Sequence, residues 1–310
     1  TRSGGKDDKG AFQPVSISKE KLNALASKIG NTPIVKVGEV YAKLESKNPA
    51  GSVKDRAGFY IVKDGIEKGL IEENGVIVEA TSGNTGIGLA YTTKALSLHF
   101  VAVMPDNMSV ERIALMKKYG ADVVLTPACD GMAGAVNKAK EIASEGGYIA
   151  GQFSNPAGTL AHVETTAPEI FRDLPEVDYI VAGVGSGGTA MGLKKYILAN
   201  NLKTKVIGVE PAESPLITRG VSGAHLIQGI GANFIPDLLD VNLLDEVRTV
   251  RGEDAVRAVK EIYALSGEKC GISSGAAYLV AKDIKAENPS KTVLAIFPDG
   301  GDRYDNSLYE

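Results

Sequence analysis

VIVEATSGNTGIGLA, residues 76–90, decides the architecture, because it runs an apolar strand directly into a glycine and hydroxyl loop that opens a helix. A strand without polar alternation is buried on both faces, as in a parallel sheet covered by helices. Working outward, FVAVM at 100–104, DVVLT at 122–126, YIVAGV at 179–184, VIGVE at 206–210 and VLAIF at 293–297 read the same way. Helical patterns fit at 19–28, 55–68, 87–97, 109–119, 130–145, 189–200, 254–266 and 275–286. This alternation predicts an α/β fold with mainly parallel sheets. A boundary near Gly151–Asn155 splits the chain roughly in half.

At 310 residues, with 44% hydrophobic and 23% charged side chains, the chain can bury a sizeable core. A net charge of −4, from 38 acids and 34 bases, supplies no positive field for a phosphate backbone, which argues against nucleic acid. No stretch has the roughly 18 uninterrupted apolar residues of a membrane span, and the N-terminus lacks a signal-peptide core, so a cytoplasmic location is expected. Cys129 and Cys270 form neither a disulfide framework nor a metal cluster, and both read as small buried hydrophobes. Glycine, at 36 residues, is well above the usual share of about 7% and points to many tight loops. Residues 1–14, opening TRSGGKDDKG, are set aside as a processed end or disordered arm.

In open α/β sheets chemistry sits beyond the carboxyl ends of strands, so the junction loops carry the functional reading. NPAGSVKDRAGFYIV, residues 48–62, places Lys54 in the first turn of a helix. The partial positive charge there disfavours an ammonium, so a partly buried Lys54 becomes a neutral nucleophile suited to an aldehyde cofactor. The competing reading is a solvated lysine balanced by Asp55. In EATSGNTGIGLA, residues 79–90, the groups of Thr81, Ser82, Asn84 and Thr85 at a helix start suit a carboxylate or phenolic oxygen, or serve as an ordinary cap. In DYIVAGVGSGGTAMG, residues 178–192, Gly183, Gly185 and Gly188 satisfy GxGxxG, and Glu210 lies 22 residues beyond Gly188. That spacing allows an NAD-dependent Rossmann oxidoreductase; the compact GSGGT instead allows a cup for one phosphate. CGISSGAA, residues 270–277, puts Ser273 and Ser274 at another helix start, while Asp299 and Asp302 of FPDGGDRY, residues 297–304, read as structural. His99, His162 and His225 lack metal spacing and read as structural or exposed, so no metal site is expected.

Each motif is ambiguous, but their order is specific. GNTPIVKV, NPAGSVKDR, TSGNTGIGLA, MPDNMSVER, QFSNPAG, ETTAPEI, GVGSGGT, GVEPAESP, HLIQGIGA, GISSGAA and PDGGDRY together resemble the cysteine synthase (O-acetylserine sulfhydrylase) and cystathionine β-synthase family, over roughly Ile29–Tyr304. The resemblance implies the tryptophan synthase β-like fold type II of pyridoxal-phosphate enzymes: two open, twisted, mainly parallel-sheet domains with pyridoxal 5'-phosphate in the cleft between them. It implies an N-terminal domain at 46–152, mobile over about 98–142, and a C-terminal domain of 15–45 with 153–310. Lys54 would be the Schiff-base lysine and proton-transfer base. Asn84 would bond the ring hydroxyl oxygen, Gly185, Ser186, Gly187, Gly188 and Thr189 would cup the phosphate, and Ser273 would face the pyridine nitrogen. Thr81, Ser82, Thr85 and Gln152 would hold the substrate carboxylate, with Gly229 and Asn233 also lining the substrate site.

A neutral hydroxyl at the pyridine nitrogen favours β-elimination to an aminoacrylate over transamination. A nucleophile then adds at Cβ, giving cysteine from O-acetyl-L-serine and sulfide. The alternative runs from cysteine, releasing hydrogen sulfide and forming serine, lanthionine or cystathionine. The implied partners are small amino acids, sulfide or a thiol, and a second copy in a homodimer. One departure stands out: GIGANF at 229–234 has Asn233 where the family commonly has glycine. Asn233 either narrows the pocket for another nucleophile or only occupies a left-handed turn.

Overall fold

The computed structural model describes residues 17–71 and 75–310, so the expected arm at 1–14 lies outside the described residues. From the N-terminal side, α1 (Lys19–Ala26) precedes a hairpin of β1 (Ile34–Val37) and β2 (Val40–Leu44). Then come α2 (Lys54–Glu67), β3 (Val76–Ala80), α3 (Asn84–Ala95), β4 (His99–Pro105), α4 (Val110–Lys118), β5 (Asp122–Thr126), α5 (Gly131–Ser144) and β6 (Gly147–Ile149). The second half holds α6 (Pro156–Ala161), α7 (Ala167–Asp173), β7 (Tyr179–Gly183), α8 (Gly188–Ala199), β8 (Lys205–Pro211), α9 (Leu216–Arg219), β9 (Glu246–Val250), α10 (Gly252–Ser266), α11 (Ile272–Glu287) and β10 (Val293–Phe297).

The strands form a four-stranded sheet, ordered β5-β4-β3-β6, and a six-stranded sheet, ordered β1-β2-β10-β7-β8-β9. Every pairing is parallel except β1 with β2. Both sheets are covered on two faces, which explains the unbroken apolar runs. Ile77, Phe100 and Met104 pack with Phe59, Val62 and Leu89 of α2 and α3, while Val78 and Val103 face Ala135 and Ala139 of α5. In the larger sheet, Val181, Ile207 and Phe297 meet α10 and α11, whereas Ile180, Val206 and Ile296 meet α7 and α8. β1 and β2 join the larger sheet, but Leu22 and Leu25 of α1 pack into the core of the smaller. Among the described residues no helix is long and apolar enough to cross a membrane.

The six expected strands and eight expected helices are present within a few residues, and β1, β2, β6, β9, the 156–173 helix and the short α9 are additional to them. That helix carries Pro156 and Pro168, and a π turn at His162–Thr166 interrupts it. Pro168 has no N–H to donate and its ring crowds the carbonyl of Glu164, so a widened preceding turn accommodates it. Of the cysteines, Cys270 is buried, but Cys129 is exposed on a short 3-10 turn, contrary to expectation.

A buried ionic network ties the two halves together. Arg56, in the first turn of α2, donates from Nε to Glu45 Oε1 at 2.5 Å and from Nη1 to Glu169 Oε2 at 2.6 Å. Its Nη2 reaches Glu169 Oε1 at 2.9 Å and Thr32 Oγ1 at 3.1 Å. Lys43 Nζ adds bonds of 3.0 Å to Glu169 Oε1 and to the Thr32 carbonyl. Two cations face two carboxylates, all four buried. Arg56 holds Glu169 down to about 2 against the opposing effect of burial. Removing one member leaves an uncompensated charge, so Glu169→Ala is expected to cost about 3–5 kcal/mol in urea unfolding at neutral pH; a loss below about 1 kcal/mol would show that the network carries little.

Candidate active site

Lys54 is the first residue of α2, and its backbone N–H donates to Ser52 Oγ at 3.1 Å. Its side chain leaves the smaller unit and donates from Nζ to Ser186 Oγ at 3.2 Å, in the loop after β7. The amine's pKa falls to about 8, chiefly because burial strips its water, while the nearby Glu79 carboxylate opposes the fall. Desolvation rather than the helix terminus is therefore the leading cause. Asp55 does not balance Lys54 as a surface partner: it is buried and accepts the Ala50 N–H at 2.7 Å.

The loop between β3 and α3 supplies the next group. Thr81 Oγ1 accepts the N–H of Gly83 and of Gly86, each at 3.3 Å, which shapes the turn around Ser82 and sets Asn84 at the first position of α3. Thr85 Oγ1 donates to Gln152 Oε1 at 2.5 Å, so the two residues meet although 67 positions separate them. The N–H of Gln152 donates to Glu79 Oε2 at 2.9 Å. Burial raises the Glu79 carboxyl to about 7. These side chains converge at the carboxyl ends of β3 and β6, where an open α/β sheet binds its ligand.

From the larger unit, Gly185, Ser186 and Gly187 join β7 to α8, whose first two residues are Gly188 and Thr189. Gly187 caps the helix in the left-handed conformation, φ +84°, and a Cβ there would press on Leu239. A Cβ on Gly185 would collide with the carbonyl of Gly229. Gly229 itself is left-handed, as is Asn233 at φ +66°. Asn233 Oδ1 accepts from Ser214 Oγ at 2.7 Å, and Phe234 beside it packs edge-on against Phe153 at 4.9 Å, next to Gln152. Ser273 is buried in the first turn of α11.

Glu210 does not serve the Rossmann reading. Its two carboxylate oxygens accept the N–H groups of Ile217 at 2.8 Å and Thr218 at 3.0 Å, so they hold the start of α9 instead of facing the glycine loop. The GxGxxG spacing reflects a tight strand-to-helix turn.

Sequence reasoning passed over four residues at this site: Glu79, His162, Asp299 and Arg303. His162 lies buried in the π turn, where Nε2 is 3.3 Å from Thr189 Oγ1 and Nδ1 is 2.7 Å from Thr166 Oγ1. Burial holds it neutral, with a pKa of about 3, and the charges of Arg56 and Lys54 add to the effect. A His and Thr four apart on a helix share a face, the one local signal available. Asp299 and Arg303 contact the Asn84 side chain from the loop after β10.

The unfolded chain protonates His162 below its usual value of 6.5, whereas the folded chain does so only below about 3, so this residue makes stability rise with pH between those limits. Between pH 6.5 and 5, wild-type protein is expected to lose about 2 kcal/mol of unfolding free energy that His162→Asn keeps. Parallel pH slopes for the two proteins in urea unfolding would contradict a buried neutral imidazole.

Comparison with known proteins gives a family match to "Pyridoxal-phosphate dependent enzyme" over residues 25–299. Cysteine synthase B of Campylobacter jejuni is 46% identical over 92% of this chain and 96% of its own length. The crystal structure of O-ureido-L-serine synthase superposes with a TM-score of 0.88 at 39% identity, covering 92% of this chain and 94% of the other. A hydrogen sulfide-producing enzyme from Fusobacterium nucleatum gives a TM-score of 0.86 at 38% identity, over 91% and 99%. With its two mainly parallel sheets and a partly desolvated lysine facing a glycine cup, the chain belongs to the pyridoxal-phosphate dependent enzyme family.

Proposed function

We propose that this enzyme makes cysteine from O-acetyl-L-serine and sulfide by β-replacement. One observation carries the chemistry: Lys54 Nζ lies 3.2 Å from Ser186 Oγ in a glycine-lined turn at the start of α8, a setting whose burial lowers the amine's pKa to about 8. The choice of substrates rests on the likeness to cysteine synthases. The residues fit pyridoxal 5'-phosphate. Glycine at 185 and 187 lets the turn pack against Gly229 and Leu239 with its backbone free of side chains, and the α8 N-terminus favours an anion. Bound there, the cofactor would supply an electron sink for the pair left when the substrate's α-carbon loses its proton.

In this reading Lys54 Nζ would anchor the cofactor covalently and would serve as the base that takes the substrate's α-proton. Gly185, Ser186, Gly187, Gly188 and Thr189 would hold the phosphate with backbone N–H groups and hydroxyls, with His162 positioning Thr189. Asn84 would bond the ring hydroxyl and Ser273 the ring nitrogen. Thr81, Ser82, Thr85 and Gln152 hold the α-carboxylate; Gly229 and Asn233 line the Cβ side. On the resemblance alone we further propose a homodimer acting in the cytoplasm.

A neutral amine is needed to capture the aldehyde. Capture of pyridoxal 5'-phosphate by cofactor-free protein, followed by absorbance, is expected to quicken about tenfold per pH unit up to about pH 8 and then level off. A lysine of ordinary pKa would keep accelerating towards 10.5. Lys54→Ala should fix no cofactor on borohydride treatment, and a label retained by that variant would sink the assignment.

Asn233 favours a second reading at one point, a cysteine-consuming reaction that releases sulfide, because a side chain stands where relatives commonly have none. Its left-handed backbone and its bond to Ser214 account for the residue without a substrate. Paired assays decide. The synthase reading predicts turnover with O-acetyl-L-serine and sulfide that exceeds sulfide release from cysteine, in wild type and in Asn233→Gly alike. If Asn233→Gly reverses a wild-type preference for cysteine, the second reading stands.

A further inference from the structure

The sequence assigned PDGGDRY no chemistry, yet its side chains clasp Asn84. A side-chain amide has an accepting end and a donating end, and only the Nδ2 end can give a hydrogen bond to a ring oxygen. Here both ends are committed in a defined sense. Arg303 Nε donates to Asn84 Oδ1 at 2.5 Å, and Asn84 Nδ2 donates to Asp299 Oδ2 at 2.9 Å. One N–H of Nδ2 is then left over for a further acceptor.

The clasp is itself braced. Tyr304 donates its hydroxyl to the same Asp299 Oδ2 at 2.9 Å, and Arg303 Nη2 donates to the Ala50 carbonyl at 2.5 Å, in the loop that leads to Lys54. The backbone N–H of Val53 donates to the Pro298 carbonyl at 2.8 Å. Asp299 is 3% exposed, and a Cβ on Gly271 would collide with its Oδ1, which has no partner among the described residues. The carboxyl thus lies between the starts of α3 and α11 and beside the approach to α2. A carboxyl buried with one orphan oxygen is costly, and packing alone does not require it.

We propose that Asp299 and Arg303 are positioning residues that orient the Asn84 amide, so that its remaining N–H points at the cofactor's ring oxygen. The inference rests on the Asn84 role proposed above. A structural clasp through the Ala50 carbonyl would stabilise the same loops without depending on the Asn84 side chain, and one through Asn84 would lower the urea-unfolding free energy in step with faster release, whereas orientation speeds release with unfolding nearly unchanged. A double-mutant cycle read beside urea unfolding separates these.

The readout is cofactor release from diluted holoenzyme, followed by loss of the bound-cofactor absorbance. Asp299→Leu and Arg303→Lys are each expected to speed release about tenfold, by analogy with groups that orient metal ligands. In an Asn84→Ala background each should change it less than about twofold. Asp299→Asn keeps an oxygen for the amide and should stay within about threefold of wild type. Equal factors in both backgrounds, or no acceleration in either, would overturn the proposal. If Asp299→Leu fails to fold, the Arg303→Lys cycle decides by the same criterion. Release unchanged by Asn84→Ala itself would fell the Asn84 reading and this proposal with it; accelerated release there, with equal factors from Asp299 and Arg303, would fell the proposal alone.

Discussion

The site depends on aiming one partly desolvated amine across the two halves while the rest of its helix turn is anchored. Successive helical residues are about 100° apart, so Lys54 and Arg56 point to nearly opposite sides of α2. Arg56 is gripped from behind by Glu45 and Glu169, and Lys54 is thereby aimed at the glycine cup. The buried ionic network is better understood as a device for direction than for stability, since desolvating four charges offsets much of what their attraction gains. Its carboxylates belong to elements beside the larger sheet, while α2 packs on the smaller, so one set of contacts sets both the lysine's aim and the junction of the two halves.

Close helix packing extends that control to the opposite wall. A Cβ on Gly88 of α3 would come within 2.6 Å of the Lys54 carbonyl, and one on Gly58 of α2 within 2.9 Å of the Gly88 carbonyl carbon. The two helices therefore touch backbone to backbone at the level of the lysine. Their N-termini, with that of α8, open on the same cleft, and three positive dipole ends there suit a ligand carrying a phosphate and a carboxylate.

What the sequence revealed follows from how local each signal is. The strands VIVEA and VLAIF are legible because burial on both faces leaves an unbroken apolar run, whereas EVRTV lies at a sheet edge with Arg248 between two glutamates and carries no such mark. β2 hides behind Lys43, an unlikely core residue until Glu169 is seen 3.0 Å away. In the site, Lys54 and the glycine loops are readable because helix starts and tight turns are written in adjacent residues. Glu79, His162, Asp299 and Arg303 take their meaning from distant partners, 219 positions apart for Arg303 and Asn84. GxGxxG left two ligands open, since the geometry it encodes is the turn and not the ligand.

The electrostatics of the cleft show why such distant groups matter. Near neutral pH His162 is uncharged, while burial brings Lys54 down to about 8 and Glu79 up to about 7, so a small change in their surroundings shifts the charge of either group. A neutral imidazole beside Thr189 can accept a hydrogen bond from that hydroxyl or donate one to it, according to its tautomer, without adding charge to the cup. Glu79 and Lys54 favour each other's ionised form, so a proton gained by the amine makes the carboxylate easier to keep charged. Because each favours the other's charge, Glu79 lowers the cost of protonating the Lys54 amine in its partly desolvated setting. The same burial that makes the amine nucleophilic would otherwise penalise its protonated form, and Glu79 offsets that penalty.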